Sequence, residues 1–436
     1  MPSLNPSRQT SPLKIGYLPY LVCFLAAMFY LYDFIVQISP SVMIDEMMRD
    51  LHVGAVGIGF ISAFFFYGYT PFQLPAGLLF DRYGPRILIT LMIIVCALGA
   101  LIFGLTSSIA MACAGRFLMG VGAAFSFIGA LLLVSRWFPA HYFVVITGLI
   151  QLMSSIGAIV GGVPLAKITG FLGWRHTMVW VSTAGFVLAL LFWMMVRDGP
   201  KGFIDSPRTQ RLGRDEWRRL KLVLSNPQTW WIGLYSFSSW APIVAFAGLW
   251  GVPFLMQLYQ VNTAKASTLC ALIWLGIGVG CPLVGWWSEY IGRRVLPLAF
   301  CNLLGMIVLV LLIYCPDLPW SGVLILCFLF GLASSGQSVS FALVKDNNKS
   351  EVVGTAIGFN NMAVVIGGAL FQPLIGILLS LQWHAEKINN VPFYSVAEYQ
   401  VAMCVLPLIY FLGFVLCQTV LKETRCRSQF LESPNS

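Results

Sequence analysis

The chain has 436 residues, of which 58% are hydrophobic and only 10% are charged, and its mean hydropathy is +0.82. About a quarter of the residues of a soluble protein are charged, so this composition excludes a soluble enzyme, a disordered chain and a disulfide-rich scaffold. The net charge of +9 would indicate nucleic-acid binding only if the basic residues formed a stripe on a polar domain, and here they lie between long apolar segments. The sequence therefore predicts an integral membrane protein.

Twelve apolar segments lie between charged, proline and glycine residues, and each has the length of about 20 residues that a spanning helix needs. We call them spans 1 to 12. The first six are expected at 17–38, 56–79, 87–105, 109–135, 143–166 and 174–196, and the second six at 229–256, 267–287, 296–315, 319–344, 353–381 and 399–421. Strands of a membrane β-barrel would be much shorter, so the predicted fold class is an all-α membrane protein.

The basic residues predict the orientation, because cytoplasmic loops carry an excess of Lys and Arg. With the N-terminus inside, 20 of the 26 basic residues lie in inner segments, five lie in outer segments, and Arg116 alone lies within a span. We therefore expect both termini to be cytoplasmic.

Segment 197–226 is strongly charged and divides the spans into two sets of six. The predicted organisation is an N-terminal six-helix bundle at 1–196, a cytoplasmic linker at 197–226 and a C-terminal six-helix bundle at 227–436. Within the linker, Arg214 to Leu224 is predicted to be a short amphipathic helix on the anionic lipid of the inner leaflet.

The two halves share sequence features that indicate an internal duplication. Pairs that are 208 residues apart follow spans 2 and 8: Gly77 with Gly285, Asp81 with Glu289, Gly84 with Gly292, and Arg86 with Arg294. Pairs that are 210 residues apart lie in spans 5 and 11: Gly148 with Gly358, Gln151 with Asn361, and Gly157 with Gly367.

The run Gly77-x-x-x-Asp81-Arg82-x-Gly84-x-Arg86 resembles the loop motif of the major facilitator superfamily, and Arg116-x-x-x-Gly120 resembles a motif of its fourth span. The resemblance implies two pseudo-symmetric bundles around a central cavity and alternating-access transport. Segment 29–43 is also similar to nutrient permeases of intracellular bacteria, which implies a bacterial inner-membrane protein.

In this family the loop motif is implied to form a cytoplasmic gate that holds the two halves together while the cavity faces outward. The predicted gate residues are Gly77, Asp81, Arg82, Gly84, Arg86, Gly285, Glu289, Arg293 and Arg294. A carboxylate at a helix C-terminus opposes the helix dipole, so the acids need Arg partners, and we expect Gly77 and Gly285 to let neighbouring helices approach closely. The alternative is that these residues form only tight cytoplasmic turns.

Asp33 and Arg116 are the charged residues expected well inside a span. At a rise of 1.5 Å per residue, both lie roughly 7–10 Å below the outer face, which predicts that they pair. A static salt bridge is one interpretation. The other is proton coupling, in which protonation of Asp33 frees Arg116 for an anionic group of the substrate, and this arrangement resembles that of proton-coupled sugar permeases.

Polar and amphipathic side chains are also expected near the middle of several spans, where each could bind substrate or form an interhelical hydrogen bond. The predicted substrate-binding residues are Tyr30, Gln37, Tyr67, Arg116, Gln151, Trp240, Gln337, Asn360 and Asn361.

The predicted function is proton-coupled import of a small metabolite with a carboxylate, such as an amino acid, a short peptide or an organic acid. The alternatives are a proton-antiport exporter of a drug, siderophore or metabolite, and a permease for a neutral sugar. Partners are then a small-molecule substrate, protons and membrane lipids. We expect no enzymatic activity, no cofactor, no metal, no nucleic acid, and a monomer.

Overall fold

A computed structural model describes residues 17–200, 214–388 and 391–430. Within these residues, twelve helical segments are long and apolar enough to cross a membrane, and they confirm the predicted spans to within a few residues at most ends. The segments run Tyr17–Val42, Ala55–Gln73, Pro85–Leu105, Ile109–Trp137, Val145–Leu172, Trp174–Met195, Pro227–Tyr259, Thr263–Ile291, Val295–Tyr314, Trp320–Asp346, Val353–Gln382 and Val396–Thr419.

Spans 1 and 7 are distorted near the end that is predicted to face outward. The α-helix of span 1 is Tyr17–Ile38, and a 3-10 turn, Ser39–Val42, follows it. In span 7 a π-helical segment, Phe246–Trp250, separates Pro227–Ala245 from Gly251–Tyr259. The two irregular segments begin 207 residues apart, close to the offset of the sequence repeat.

Spans 4 and 10 are interrupted at their middles. Span 4 consists of Ile109–Ala123 and Ser126–Trp137, and span 10 of Trp320–Ser334 and Gly336–Asp346. The second helices begin 210 residues apart. Interrupted helices leave backbone groups and a helix N-terminus inside the bundle, which is tolerated only where protein or a polar cavity satisfies them.

Glycines mediate the same close contact between two helices within each half. A Cβ on Gly120 would lie 1.8 Å from the Phe65 carbonyl oxygen, and one on Gly331 would lie 1.8 Å from the Ile273 carbonyl oxygen. Span 4 therefore contacts span 2 backbone to backbone, and span 10 contacts span 8 in the same manner. This is the close approach that small residues permit between membrane helices.

Shorter elements connect the spans. Span 2 consists of Ala55–Tyr69 and the 3-10 turn Thr70–Gln73, span 5 belongs to the longer helix Ala140–Leu172, and span 12 is divided into Val396–Met403 and Val405–Thr419. The other elements are the helices Ile44–Leu51, Ala76–Tyr83 and Arg214–Leu224, the 3-10 turn Ser350–Val352, and the antiparallel strands Lys387–Ile388 and Val391–Pro392. The predicted linker helix is thus confirmed.

The two halves contact each other through spans 2 and 11 and through spans 5 and 8. At the predicted outer end, a Cβ on Gly59 would lie 2.6 Å from the Gln372 carbonyl oxygen, and one on Gly376 would lie 2.5 Å from that of Ala55. At the other end, one glycine in each of spans 5, 8 and 11 and one in the helix after span 2 have no atom within 4 Å of a Cβ position: Gly148, Gly285, Gly354 and Gly77. The halves therefore approach most closely at the predicted outer end.

Candidate functional site

Arg116 is fully buried in span 4, where it holds the bent end of span 1. Pro40 has no N–H, so the carbonyl of Val36, four residues earlier, lacks its usual helical donor. Arg116 Nη1 donates to this oxygen at 2.7 Å, and Nη2 donates to the Gln37 carbonyl at 3.3 Å and to the Ser62 carbonyl of span 2 at 3.4 Å. One guanidinium therefore joins spans 1, 2 and 4.

Asp33 is 1% exposed and lies one turn before the carbonyls that Arg116 binds. Ser126 Oγ donates to its Oδ2 atom at 2.7 Å, and the buried Oδ1 atom has no hydrogen-bond partner. Ser126 begins the second helix of span 4. The carboxyl group thus lies beside a helix N-terminus, where the dipole favours negative charge.

The predicted ion pair between Asp33 and Arg116 is wrong for this conformation. Among the described residues no salt bridge within 4.0 Å joins them, because Asp33 binds Ser126 while the guanidinium binds carbonyls and lies 4.9 Å from the centre of the Phe65 ring. The two residues were correctly expected at similar depths. The sequence did not reveal the bend at Pro40. The carbonyls of Val36 and Gln37 at this bend accept hydrogen bonds from the guanidinium in place of Asp33.

Two predicted site residues form hydrogen bonds between helices, one within the C-terminal half and one between the halves. Asn360 is fully buried, and its Oδ1 atom accepts from Ser236 at 2.8 Å while its Nδ2 atom donates to Ser340 at 3.0 Å. Asn361 donates to Gln73 Oε1 of span 2 at 2.6 Å and so connects the two halves. Both amides are interhelical hydrogen-bonding groups in this conformation.

Tyr67 makes a second hydrogen bond between the halves, because its hydroxyl donates to the Ala369 carbonyl of span 11 at 3.0 Å. Together with the Asn361 contact, this bond fixes the second half of span 2 against span 11. Tyr67 is half-buried, so part of its ring remains accessible.

The other predicted residues lie among aromatic rings at the middle of the bundle. The Tyr30 hydroxyl of span 1 donates to Gln151 Oε1 of span 5 over a long 3.4 Å, and the Tyr30 ring lies 5.2 Å from Phe34 and 5.1 Å from Phe127. Gln151 is half-buried. These side chains belong to the N-terminal half.

Trp240 of span 7 and Trp274 of span 8 belong to the C-terminal half, with ring centres 6.2 Å apart, and Trp274 lies 5.7 Å from Phe34. The buried Nε1 atom of Trp274 has no hydrogen-bond partner. Gln337 lies in the first turn of the second helix of span 10 and is 7% exposed, and Gln37 is 8% exposed. Rings from both halves therefore meet between the bundles.

Sequence reasoning missed Ser126, Phe34, Phe127 and Trp274. Phe34 follows Tyr30 by four residues and so shares its helix face, which was an available signal. Trp274 and Phe127 lie in uniformly apolar runs, and Ser126 became identifiable only once the interruption of span 4 was known.

The first copy of the predicted gate motif contacts its own half. Gly84 has a φ of +74° and follows the helix that contains Asp81, whose side chain lies outside the described part of the structure. The Arg86 backbone N–H donates to Asp198 Oδ1 at 2.8 Å, and its guanidinium binds the Trp193 carbonyl at 2.7 Å. Span 3 is thereby attached to the end of span 6.

The second copy repeats this arrangement. The backbone N–H groups of Arg294 and Val295 donate to the two carboxylate oxygens of Glu423 at 2.8 and 2.9 Å, which attaches span 9 to the end of span 12. The Arg294 side chain also forms ion pairs with Glu289 at 2.8 Å and with Asp346 at 3.3 Å. Arg294 is thus the partner predicted for Glu289.

One expectation about this motif needs correction in the present conformation. Gly77 and Gly285 do not mediate close helix contacts, since a Cβ on either would meet nothing within 4 Å. Arg82 and Arg293 are exposed, and Arg82 lies over the ring of its neighbour Tyr83 at 5.2 Å.

Comparison with known proteins agrees with this architecture. The model of the Major Facilitator Superfamily matches residues 22–372 and 249–426. The chain is 24% identical over 371 residues to "Probable galactarate/D-glucarate transporter GudP" of Bacillus subtilis (strain 168), a match that covers 78% of this chain and 81% of that protein. It is 31% identical over 190 residues to a quinolone resistance transporter of Acinetobacter baumannii, which covers 41% of this chain and 42% of that one.

Among solved structures, a bacterial homologue of the human lysosomal transporter Spinster, in an inward-facing and unoccupied conformation, aligns with a TM-score of 0.74. Sequence identity is 15%, and the alignment covers 96% of this chain and 99% of that one, so the likeness concerns the fold. The protein is therefore a multi-pass integral membrane protein and a transporter, not an enzyme, and it belongs to the Major Facilitator Superfamily.

Proposed function

We propose that the protein imports a small organic acid together with protons. The substrate class is supported by the galactarate/D-glucarate transporter of Bacillus subtilis, which matches most of this chain. Amino acids and short peptides share the carboxylate, and we place them second.

Import of an anion against a membrane potential that is negative inside costs about 2.3 kcal/mol per charge for each 100 mV. Binding one proton for each carboxylate removes this cost. A carboxylate substrate therefore favours a proton-binding group inside the transporter.

Asp33 is the residue that we propose to carry the proton, and its environment is the observation on which the proposal rests. Its carboxyl group is buried, has one donor, Ser126, and has no cation within ion-pair distance in the described part of the chain. A buried charge without a partner is costly, so binding and release of a proton would change the stability of this conformation.

Arg116 is proposed as a positioning residue that also supplies positive potential. Both of its Nη groups donate to carbonyls of spans 1 and 2, and its buried Nε has no hydrogen-bond partner, so a substrate carboxylate would compete with the backbone for the Nη groups. Substrate contacts are assigned to the mid-span groups Tyr30, Gln151, Trp240 and Gln337, with Gln37 and Tyr67 at their margins. The paired amides of Asn360 and Asn361 would hold helices together.

The test is uptake of labelled D-glucarate into proteoliposomes with an alkaline interior, in competition with galactarate, glutamate, a dipeptide and glucose. Wild-type protein should accumulate glucarate, and glucose should not compete. Asp33→Asn should abolish accumulation driven by the pH gradient and should retain exchange of labelled for unlabelled glucarate at equal pH.

Asp317→Asn is the matched control, because it makes the same chemical change on an exposed loop. It should transport as the wild type does. If Asp33→Asn accumulates glucarate normally, Asp33 does not couple protons; if glucose alone competes, the protein is a permease for a neutral sugar.

Export by proton antiport is the second candidate, favoured by the partial match to the quinolone resistance transporter. It predicts that the fluoroquinolone ciprofloxacin leaves the vesicles when protons flow into them. Reversing the imposed pH gradient in the same vesicles distinguishes antiport from symport.

We also propose that both termini are cytoplasmic in a bacterial inner membrane, that the chain acts as a monomer, and that it divides at 1–196, 197–226 and 227–436.

The gate role of the loop motif is proposed for the outward-facing state. There, Gly77→Ala and Gly285→Ala should slow transport without loss of stability, because both positions are open in the present conformation. If transport is unchanged, the motif acts only within each half and does not form a gate.

A further inference from the structure

The linker helix Arg214–Leu224 is attached to the C-terminal half at the predicted inner end of the bundle. It contacts spans 7 and 11 and the turn Ser350–Val352. Val223 is fully buried there, and the carbonyl of Leu224 accepts a hydrogen bond from Trp230 Nε1 at 2.9 Å. Span 7 begins three residues after the helix ends, so the helix is held close to the level at which the span enters the membrane.

The opposite face of this helix is apolar and basic, and it is open. Trp217 is 73% exposed, and Arg218 and Lys221 are exposed beside it. Among the side chains that the structure describes, which do not include those of 214–216, neither cation has a hydrogen-bond or ion-pair partner. A groove of about 650 Å³ runs along the face and is lined by Trp217, Arg218, Leu220, Lys221, Leu224 and Ser225.

We propose that this groove, here called the linker groove, binds an anionic phospholipid of the inner leaflet. The phosphate would lie against Arg218 and Lys221, and the upper part of an acyl chain would lie along Leu220 and Leu224. Tryptophan is enriched at the membrane interface because its ring is apolar and its N–H is polar, which suits the position of Trp217.

The groove's mixed chemistry favours a lipid over a free anion. Two cations alone would suit inorganic phosphate or an acidic protein segment, but neither would explain a large exposed indole in a groove that leucines also line. Trp230 and Trp231, at the start of span 7, are 51% and 38% exposed, so the aromatic surface continues from the helix onto the span. Basic residues near an anionic membrane surface each add about 1 kcal/mol of attraction, or roughly five-fold in affinity.

The experiment uses the purified full-length protein in a neutral detergent and follows its thermal unfolding as lipid is added. Phosphatidylglycerol should raise the unfolding temperature at concentrations at which phosphatidylcholine and inorganic phosphate do not. The variant with Arg218→Gln and Lys221→Gln should need roughly 25-fold more phosphatidylglycerol for the same shift. Trp217→Ala should also weaken the response.

Lys345→Gln with Lys349→Gln is the matched control, because it removes two exposed cations from the same end of the molecule. It should respond as the wild type does. An equal response to phosphatidylcholine, or an equal loss in both double variants, would overturn the proposal, and an equal response to inorganic phosphate would show a plain anion site instead. None of these outcomes depends on the transported substrate.

Discussion

Gly120 is the position at which the structure makes its sharpest stability prediction. In Gly120→Ala the new Cβ would lie 1.8 Å from the Phe65 carbonyl oxygen, whereas such contacts are essentially never shorter than 3.0 Å. Spans 2 and 4 would have to separate by about 1.2 Å, and no rotamer change can relieve a contact with backbone. Overpacking costs about 1–3 kcal/mol, and the higher value applies here.

The gain of alanine over glycine within a helix, about 0.5–1 kcal/mol, offsets part of this cost. The expected net loss in the free energy of unfolding is therefore about 2 kcal/mol. Gly331→Ala should lose a similar amount, because its Cβ would meet the Ile273 carbonyl at the same distance. Gly77→Ala, with no neighbour within 4 Å, should be neutral or slightly stabilised.

The assay is unfolding of the purified variants by SDS in mixed micelles, followed by far-ultraviolet circular dichroism. Gly77→Ala is the control for the intrinsic effect of the substitution. The interpretation of a backbone-to-backbone contact is refuted if Gly120→Ala unfolds within about 0.5 kcal/mol of Gly77→Ala.

Two other predictions concern the predicted outer end. The Tyr394 hydroxyl accepts a hydrogen bond from the Ala55 backbone N–H at 3.0 Å and thereby connects the two halves. Tyr394→Phe removes this bond, which is worth about 0.5–1.5 kcal/mol, and should raise the outward-open population by two-fold or more. Distances between spin labels across that end measure this population, and an unchanged distance distribution would contradict the prediction. Burial raises the pKa of Asp50, but hydrogen bonds from Trp174 and Arg175 outweigh it and leave the pKa below its ordinary value of 3.8. The ionised form is thus favoured by folding, so the stability advantage of wild type over Asp50→Asn should be full above about pH 4 and should be lost as the pH falls through the lowered pKa. An advantage that does not decrease as the pH is lowered below 4 would contradict this prediction.

The sequence by itself determined the membrane class, the twelve spans, the linker helix and the duplication. These features depend on local composition and spacing, since apolar length specifies a span and paired glycines at a constant offset reveal a repeat. The depths of Asp33 and Arg116 followed from counting residues along two helices, and the family was indicated by its loop motif.

Only the tertiary structure decided which groups those residues bind. Arg116 binds carbonyls that the bend at Pro40 leaves free, and Asp33 binds a serine that the interruption of span 4 presents. Trp274 reaches Phe34 only because span 8 of one half packs near span 1 of the other. The sequence indicates which charged residues lie within the membrane. The partner of such a residue depends on where distant helices bend and on which backbone groups lose their helical hydrogen bonds at those bends.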